Sequence, residues 1–274
     1  MNYKKLIIIP LLLLAISLVY LFYQVSTKGL ILDIDLKGGT QIVAESPTSI
    51  NEQAIENILK KYDVDIRTAR GVTGYTIFIN FDASINPNDV IKTLKENGYD
   101  FKSYSTQTIG PALGVAFFQQ AQLALLFAFS FMAVTVFIIF KKIVLSFRVV
   151  LSAFADIIET LVLSQILGIE LSLATFAALL LLIGYSVDDD ILLTNRVIKG
   201  SGEIKTRIKG AMKTAFTMVG ATCVALLALL IMSSSLVIVE IASILLMGLI
   251  FDQINTWLFN APVLRWYVEG LNET

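Results

Sequence analysis

Residues 172–194 have the sequence SLATFAALLLLIGYSVDDDILLT, an apolar run that contains three consecutive aspartates. About 20 predominantly apolar residues suffice to cross a bilayer, so this stretch predicts a transmembrane helix. At ~1.5 Å per residue, Asp188, Asp189 and Asp190 lie roughly 24–27 Å from the outer end of that helix, in the inner half of the membrane. Because a charged side chain at the bilayer centre costs about 2.5–3.5 kcal/mol, at least one aspartate is expected to face other helices, while another could turn toward water.

A simpler interpretation is that this helix ends early and that the aspartates lie on the cytosolic surface. Against it, Ile191, Leu192 and Leu193 continue the apolar run, and the first basic residue is Arg196. We therefore prefer a helix that continues past the aspartates.

The rest of the chain predicts a membrane all-α six-helix bundle with an inserted α+β domain. Hydrophobic residues make up 56% of the 274 residues and charged residues only 16%, well below the quarter typical of soluble domains. The predicted spans are 6–23, 115–140, 149–168, 172–194, 212–233 and 236–259. The first apolar run exceeds the apolar core of a signal peptide and lacks an Ala-x-Ala site after it, which predicts an uncleaved span.

The positions of lysine and arginine predict the orientation of these spans in the cell (cytoplasmic) membrane. The short loops near 168–172 and 233–237 contain neither residue type, whereas the opposite flanks are basic. The basic residues of these flanks are Lys4, Lys5, Lys141, Lys142, Arg148, Arg196, Lys199, Lys205, Arg207, Lys209, Lys213 and Arg265. Because positive charge accumulates in cytoplasmic loops, both termini are expected inside and the inserted domain outside.

The inserted domain is expected at residues 29–110, between a first part at 1–28 and the other five spans at 111–274. Its predicted strands are 40–45, 64–68, 75–81 and 101–106, and its predicted helices are 51–61 and 88–95. Gly71 and Gly74 mark a turn between the second and third strands. The order β-α-β-β-α-β is typical of a ferredoxin-like fold, which by itself indicates no function.

Further acidic residues fall within the predicted spans. Asp156 and Glu159 are three positions apart and share one helix face, which predicts a polar seam or, alternatively, a structural contact between helices. Glu240 is expected at the outer interface, and Asp252 lies near the inner end of the sixth span. The chain has no histidine and no basic residue deep in a predicted span, so the carboxylates are the candidates for a proton relay.

Several functional classes find no support in the sequence. Without histidine there is no Ser-His-Asp triad, and neither a Walker motif nor a G-x-G-x-x-G motif occurs. A net charge of −1 favours no nucleic-acid partner, and Asp33 and Asp35 lack the spacing of a calcium-binding loop. Cys223 is expected to be an apolar filler, and Thr214, Thr217, Gly220 and Thr222 suit helix packing or the lining of a seam. We predict that the protein is not an enzyme and has no cofactor and no metal.

Four motifs resemble those of SecF, a family of protein-export membrane proteins, in its archaeal form. DLKGGT at 35–40 resembles the D-x-x-G-G-T element, and IGPALG at 109–114 resembles the V-G-P-x-x-G element. GYSVDDDILL at 184–193 resembles the signature of the fourth span, and NTW at 255–257 together with NA at 260–261 resembles the end of the archaeal sixth span. The motif residues singled out are Asp35, Gly38, Gly39, Gly110, Pro111, Gly184, Arg196 and Asn255.

This resemblance implies membership of the resistance–nodulation–division superfamily of proton-driven transporters. It implies an accessory role in the Sec protein translocase, driven by the proton gradient, with SecD, the Sec translocation channel, translocating unfolded polypeptides and the lipid bilayer as partners. A non-energetic scaffold that stabilises SecD or the channel is the alternative. By register, the functional acid of bacterial SecF corresponds to Asp189 and that of SecD to Asp188. The fifth-span basic residue of bacterial SecF falls near Thr217, which is neutral.

Overall fold

The computed structural model describes residues 5–46, 49–70, 74–99, 101 and 103–272, in which long helices accompany one small sheet. The helices are α1 (Ile8–Thr27), α2 (Ile34–Lys37), α3 (Glu52–Ile58), α4 (Pro87–Glu96), α5 (Pro111–Phe140), α6 (Ile143–Ile166), α7 (Leu173–Lys199), α8 (Ile204–Met232), α9 (Leu236–Asn255) and α10 (Ala261–Asn272). The strands are β1 (Gly39–Ser46), β2 (Asp65–Arg70), β3 (Tyr75–Phe81) and β4 (Tyr104–Ile109). A 3-10 turn (Lys60–Tyr62) follows α3, and a π-helical turn (Thr256–Asn260) joins α9 to α10.

The strands form one antiparallel sheet in the order β2-β3-β1-β4. Ile42 of β1 lies opposite Ile79 of β3, and both are buried in an apolar core that also takes Ile55 of α3 and Leu94 of α4. The alternation predicted for 75–81 therefore places one face of β3 against the two helices. At the start of α3, the side chain of Asn51 accepts a hydrogen bond from the amide of Ala54, as an N-cap residue does.

Two boundaries predicted in this domain are wrong. The last strand was expected at 101–106, but β4 lies at Tyr104–Ile109, where its residues are exposed except for Ile109 and give no apolar alternation. The helix was expected at 51–61, but the α-helix ends at Ile58 and a 3-10 turn follows it. The predicted turn residue Gly71 lies outside the described residues, whereas Gly74 precedes β3 with a φ of +155°.

Five segments of the described chain are long and apolar enough to cross a membrane: Ile8–Thr27, Pro111–Phe140, Ile143–Ile166, Ile204–Met232 and Leu236–Gly270. The helix α7 has comparable length, carries the three consecutive aspartates and is not among the five. It continues past Asp190 to Lys199, so the early helix end considered above is wrong. Within the bundle, α9 packs against α6, α7 and α8.

The chain enters and leaves the sheet at one tightly packed point. Gly38 adopts a φ of +83°, a conformation that only glycine reaches without strain. A Cβ at Gly38 would lie 2.7 Å from the Cα of Pro111, and a Cβ at Gly114 would meet the backbone of Gly38 equally closely. The DLKGGT and IGPALG motifs therefore pack against each other through backbone atoms.

Candidate functional site: a buried carboxylate cluster

Five acidic side chains from α6, α7 and α9 are buried among the helices of the bundle. Each residue is at most 3% exposed. The carboxylate cluster consists of Asp156, Glu159, Asp189, Asp190 and Asp252. Buried carboxyl groups are tolerated only where hydrogen-bond partners or opposite charges replace the lost water, so their partners decide what the cluster can do.

Asn255 on α9 joins the two acids of α6. Its side-chain amide donates to Asp156 Oδ1 at 2.7 Å and to Glu159 Oε2 at 2.9 Å. The hydroxyl of Ser186, on α7, donates to the other oxygen of Asp156 at 2.7 Å. Three helices therefore meet at Asp156, which accounts for the i, i+3 pair on one face of α6.

Gln253 joins Asp189 of α7 to Asp252 of α9. Its amide nitrogen donates to Asp189 Oδ2 at 2.7 Å and to Asp252 Oδ2 at 3.0 Å. The indole of Trp257, which can only donate, binds the amide oxygen of Gln253 at 2.8 Å. This contact orients the amide, because with the oxygen turned toward the indole the nitrogen must face the two acids.

Asp190 has its own set of hydrogen-bond partners in the interior of the bundle. The amide of Asn260, in the π-helical turn, donates to Asp190 Oδ1 at 2.5 Å. The hydroxyl of Thr194 donates to the backbone carbonyl of Asp190 at 2.6 Å. Arg148 donates to that same hydroxyl and, at 3.1 Å, to the carbonyl of Asn260.

Arg148 overturns the expectation that no basic residue lies deep in a span. The third span was predicted to begin at residue 149, but α6 begins at Ile143 and includes Arg148, which is only 2% exposed. Its guanidinium stays charged in proteins, so the cluster does contain an internal positive charge. By contrast Thr217 is exposed on α8, where its hydroxyl binds the carbonyl of Lys213.

Asp188 points away from the cluster. It is exposed on the same side of α7 as Leu181, Gly184 and Tyr185, while Asp189 and Asp190 turn inward. The 100° step between consecutive helical residues produces this division. The last motif residue of α7, Arg196, is exposed in the final turn of the helix.

A second group of polar residues connects the sheet to the helices. This group, the Arg67 junction, consists of Arg67, Asp33, Asp65, Glu170 and Glu240. Arg67 of β2 donates to Glu170 Oε2 at 2.5 Å, in the α6–α7 loop, and to Glu240 Oε1 at 3.1 Å, near the start of α9. Asp33 and Asp65 lie 3.8 Å and 3.5 Å from the same guanidinium. One cation thus faces four acids. The interfacial position expected for Glu240 stays a prediction.

Burial, more than the charges around it, determines the titration of Glu170 at the Arg67 junction. Burial raises the pKa of Glu170 to about 8, in spite of the attraction of Arg67 and Lys37. Nearby, the amide of Asp33 donates to the carbonyl of Leu171 at 2.8 Å, so backbone pairing also holds this loop. Burial and the proximity of Asp33 likewise raise the pKa of Asp35.

The sequence patterns assigned no contact with these acids to Gln253, Asn260, Arg148 or Arg67. Gln253 and Asn260 are polar residues near the end of a long apolar run. Polar residues are rare in such a run, and this was the signal that could have identified them. Arg148 was assigned to a flank, and no role was predicted for Arg67. For both arginines the hydrogen-bond acceptors are far away in sequence, so no local pattern could reveal them.

The fold and the site define a helical membrane protein with a small α+β insertion and internal carboxylates. The family described as "Protein export membrane protein SecD/SecF, C-terminal" matches residues 89–270. The chain belongs to this SecD/SecF family, as the sequence resemblance implied.

The curated relatives are SecF proteins of archaea. The "Protein-export membrane protein SecF" of Methanocaldococcus jannaschii is 38% identical over 97% of this chain and 96% of its own length. Those of Pyrococcus furiosus (38% identity; 98% and 92% coverage) and Methanolacinia petrolearia (35%; 97% and 94%) are similar over nearly the full length.

A solved structure shares the fold. The crystal structure of SecDF, a translocon-associated membrane protein from Thermus thermophilus, matches with a TM-score of 0.78 at 19% identity. The match covers 97% of this chain and 38% of that chain.

Proposed function

We propose that this protein is an accessory, non-enzymatic subunit of the Sec protein translocase that works with SecD and uses the proton gradient to promote export. The carboxylate cluster carries the proton part of this proposal, because its acids come from three helices and are linked through the amides of Asn255 and Gln253. Membership of the protein-export family supports the export part.

The cluster has the chemistry that a proton relay needs. Intramembrane acids are costly and mark proton pathways in many transporters. Asp156, Glu159, Asp189 and Asp252 each accept at least one hydrogen bond from an amide or hydroxyl, and a carboxyl oxygen can hold a proton as well. Movement of α7 relative to α9 would change these contacts and thereby couple proton binding to helix position.

The exposed stripe of α7 supports a partner within the membrane. Leu181, Gly184, Tyr185 and Asp188 share this side, and a Cβ at Gly184 would meet no atom within 4 Å. An ionised Asp188 against lipid would be expensive, whereas a protein surface or a water-filled seam could accommodate it. We assign this side to SecD, since SecDF is the solved relative in which this chain matches only part of the length.

The same proposal includes the topology and the outer domain. We take α7 as the fourth of six spans, with both termini in the cytoplasm. The outer domain is residues 29–110, and the membrane parts are residues 1–28 before it and residues 111–274 after it. The strand order β2-β3-β1-β4 with two helices on one face supports a ferredoxin-like domain. The Sec channel and emerging unfolded polypeptides are the expected partners of the outer side.

Single substitutions of Asp188, Asp189 and Asp190 by Asn, and the triple substitution, test the proton role. Purified protein with SecD is reconstituted in vesicles with the Sec channel, and proton flux and export are measured together. We expect the loss of both activities in at least one variant, with normal behaviour of the control Asp89→Asn in the exposed first turn of α4. Retention of both activities in all four variants would refute the proton role.

A non-energetic scaffold is the second candidate. The two hydrogen bonds from Asn255 hold α9 to α6 whether or not protons move, which is what a scaffold requires. This function predicts normal export by the aspartate variants and loss of export when residues 30–108 are deleted. The two candidates therefore differ in the outcome of the same export assay.

A further inference from the structure

Arg148 creates an electrostatic requirement inside the bundle. It is 2% exposed, and an arginine side chain is not deprotonated in proteins. A buried charge is retained only if an opposite charge and hydrogen bonds compensate for the lost water. At least one nearby carboxylate must therefore be ionised.

The contacts of Arg148 point to one acid. Its guanidinium binds the hydroxyl of Thr194 and the backbone carbonyl of Asn260. Thr194 and Asn260 are the same two residues that hold Asp190, through its backbone carbonyl and its Oδ1 atom.

The other acids of the cluster have different partners. Asp156 and Glu159 share Asn255, while Asp189 and Asp252 share Gln253. Neither amide carries a charge, so neither requires an ionised acid. Asp190 therefore differs from the other four acids in its link to the buried cation.

We propose that Arg148 is the fixed counter-charge of the cluster and that, as a positioning residue acting through Thr194 and Asn260, it keeps Asp190 ionised. This inference rests on the proposed proton role and deepens it. Protons are carried by Asp156, Glu159, Asp189 and Asp252, while Asp190 and Arg148 keep opposite charges that are linked through Thr194 and Asn260.

Infrared difference spectroscopy of the purified full chain in lipid nanodiscs tests this assignment without any transport assay. Asp190→Asn should remove the signal of an ionised carboxylate and leave the signal of protonated carboxylic acids unchanged. Arg148→Gln should add one protonated carboxyl group per chain, because Asp190 then takes up a proton. Arg148→Lys, which keeps the charge, should add none.

The double variant Arg148→Gln, Asp190→Asn identifies the group that gains the proton. It should show no added carboxylic acid relative to Asp190→Asn, and the control Arg196→Gln at the exposed end of α7 should match the wild type. The assignment is overturned if Asp190→Asn removes a carboxylic acid signal, or if the double variant still gains one. If Arg148→Gln does not fold, the Asp190→Asn spectrum alone decides. A failed proton-flux assay would leave these spectra unaffected, so the two proposals fail independently.

Discussion

Replacement of Glu170 by Gln should remove a pH dependence from the docking of the sheet onto the helices. In the docked structure burial raises the pKa of Glu170 to about 8, from a reference value of 4.5. Arg67 and Lys37 attract its charge, whereas Asp33 and Asp65 repel it. Glu240 shares Arg67 and also accepts a hydrogen bond from Ser172.

The direction of the pH effect on docking follows from proton linkage. The docked state binds the proton of Glu170 more tightly than an undocked state in which the side chain is in water. Docking is therefore strongest below the undocked pKa, weakens as pH rises toward the docked pKa, and is constant above it. With one pKa unit equal to about 1.4 kcal/mol, docking should weaken by roughly 2.3 kcal/mol, or about fiftyfold, between about pH 6 and pH 8.

Pulsed EPR distances between the outer domain and the bundle measure this effect. One spin label replaces Lys92 on α4 and another replaces Met232 at the end of α8, both exposed, in a chain whose Cys223 is replaced by Ser. The wild type should show a second, longer distance whose population grows from pH 6 to pH 8. Glu170→Gln, which keeps an oxygen for Arg67, should show a clearly smaller change in that population between the two pH values.

The matched control is Glu56→Gln, an exposed position on α3, which should behave like the wild type. If Glu170→Gln keeps the wild-type pH response, Glu170 does not control docking and the argument from its burial is incorrect.

Three further substitutions test packing. In chemical unfolding, Gly38→Ala should destabilise the protein more than Gly29→Ala does. Both glycines have positive φ, but only Gly38 adjoins the backbone of Pro111. Equal effects would show that this contact does not contribute to stability. Asn255→Leu should lower the unfolding free energy by about 2–6 kcal/mol, since two buried carboxyl groups each lose a donor, and an unchanged thermal midpoint would contradict this. Ile79→Ala should cost about 2–5 kcal/mol in the stability of the outer domain, followed by its circular dichroism.

Much of the fold was predictable because its signals are local. Apolar runs located the long helices, and the alternation in β3 gave its exact range. The beginning of α6 was missed since residues before 149 include the charged Arg148, which an apolar criterion assigns to a flank. The edge strand β4 was misplaced because its residues are mostly exposed and lack an apolar period.

The sequence predicted which type of residue forms the site, but only partly how these residues are arranged in space. The sequence singled out the acids of α6 and α7, but which aspartate turns inward depends on how α7 is rotated against its neighbours. Asp189 and Asp190 are inside and Asp188 is outside for that reason. Gln253, Asn260 and Arg148 contact acids on other helices, and such pairs depend on tertiary packing that no single segment encodes.

The π-helical turn at Thr256–Asn260 has a consequence for sequence change in this family. Such a turn holds one more residue than a turn of α-helix, so it is equivalent to a one-residue insertion. Conversion of this turn to regular α-helix, with no residue lost, would rotate everything that follows by about 100°. Asn260 would then leave Asp190, and α10 would present a different side to α7. Substitutions that favour a regular α-helix along this segment should therefore displace Asn260 from Asp190.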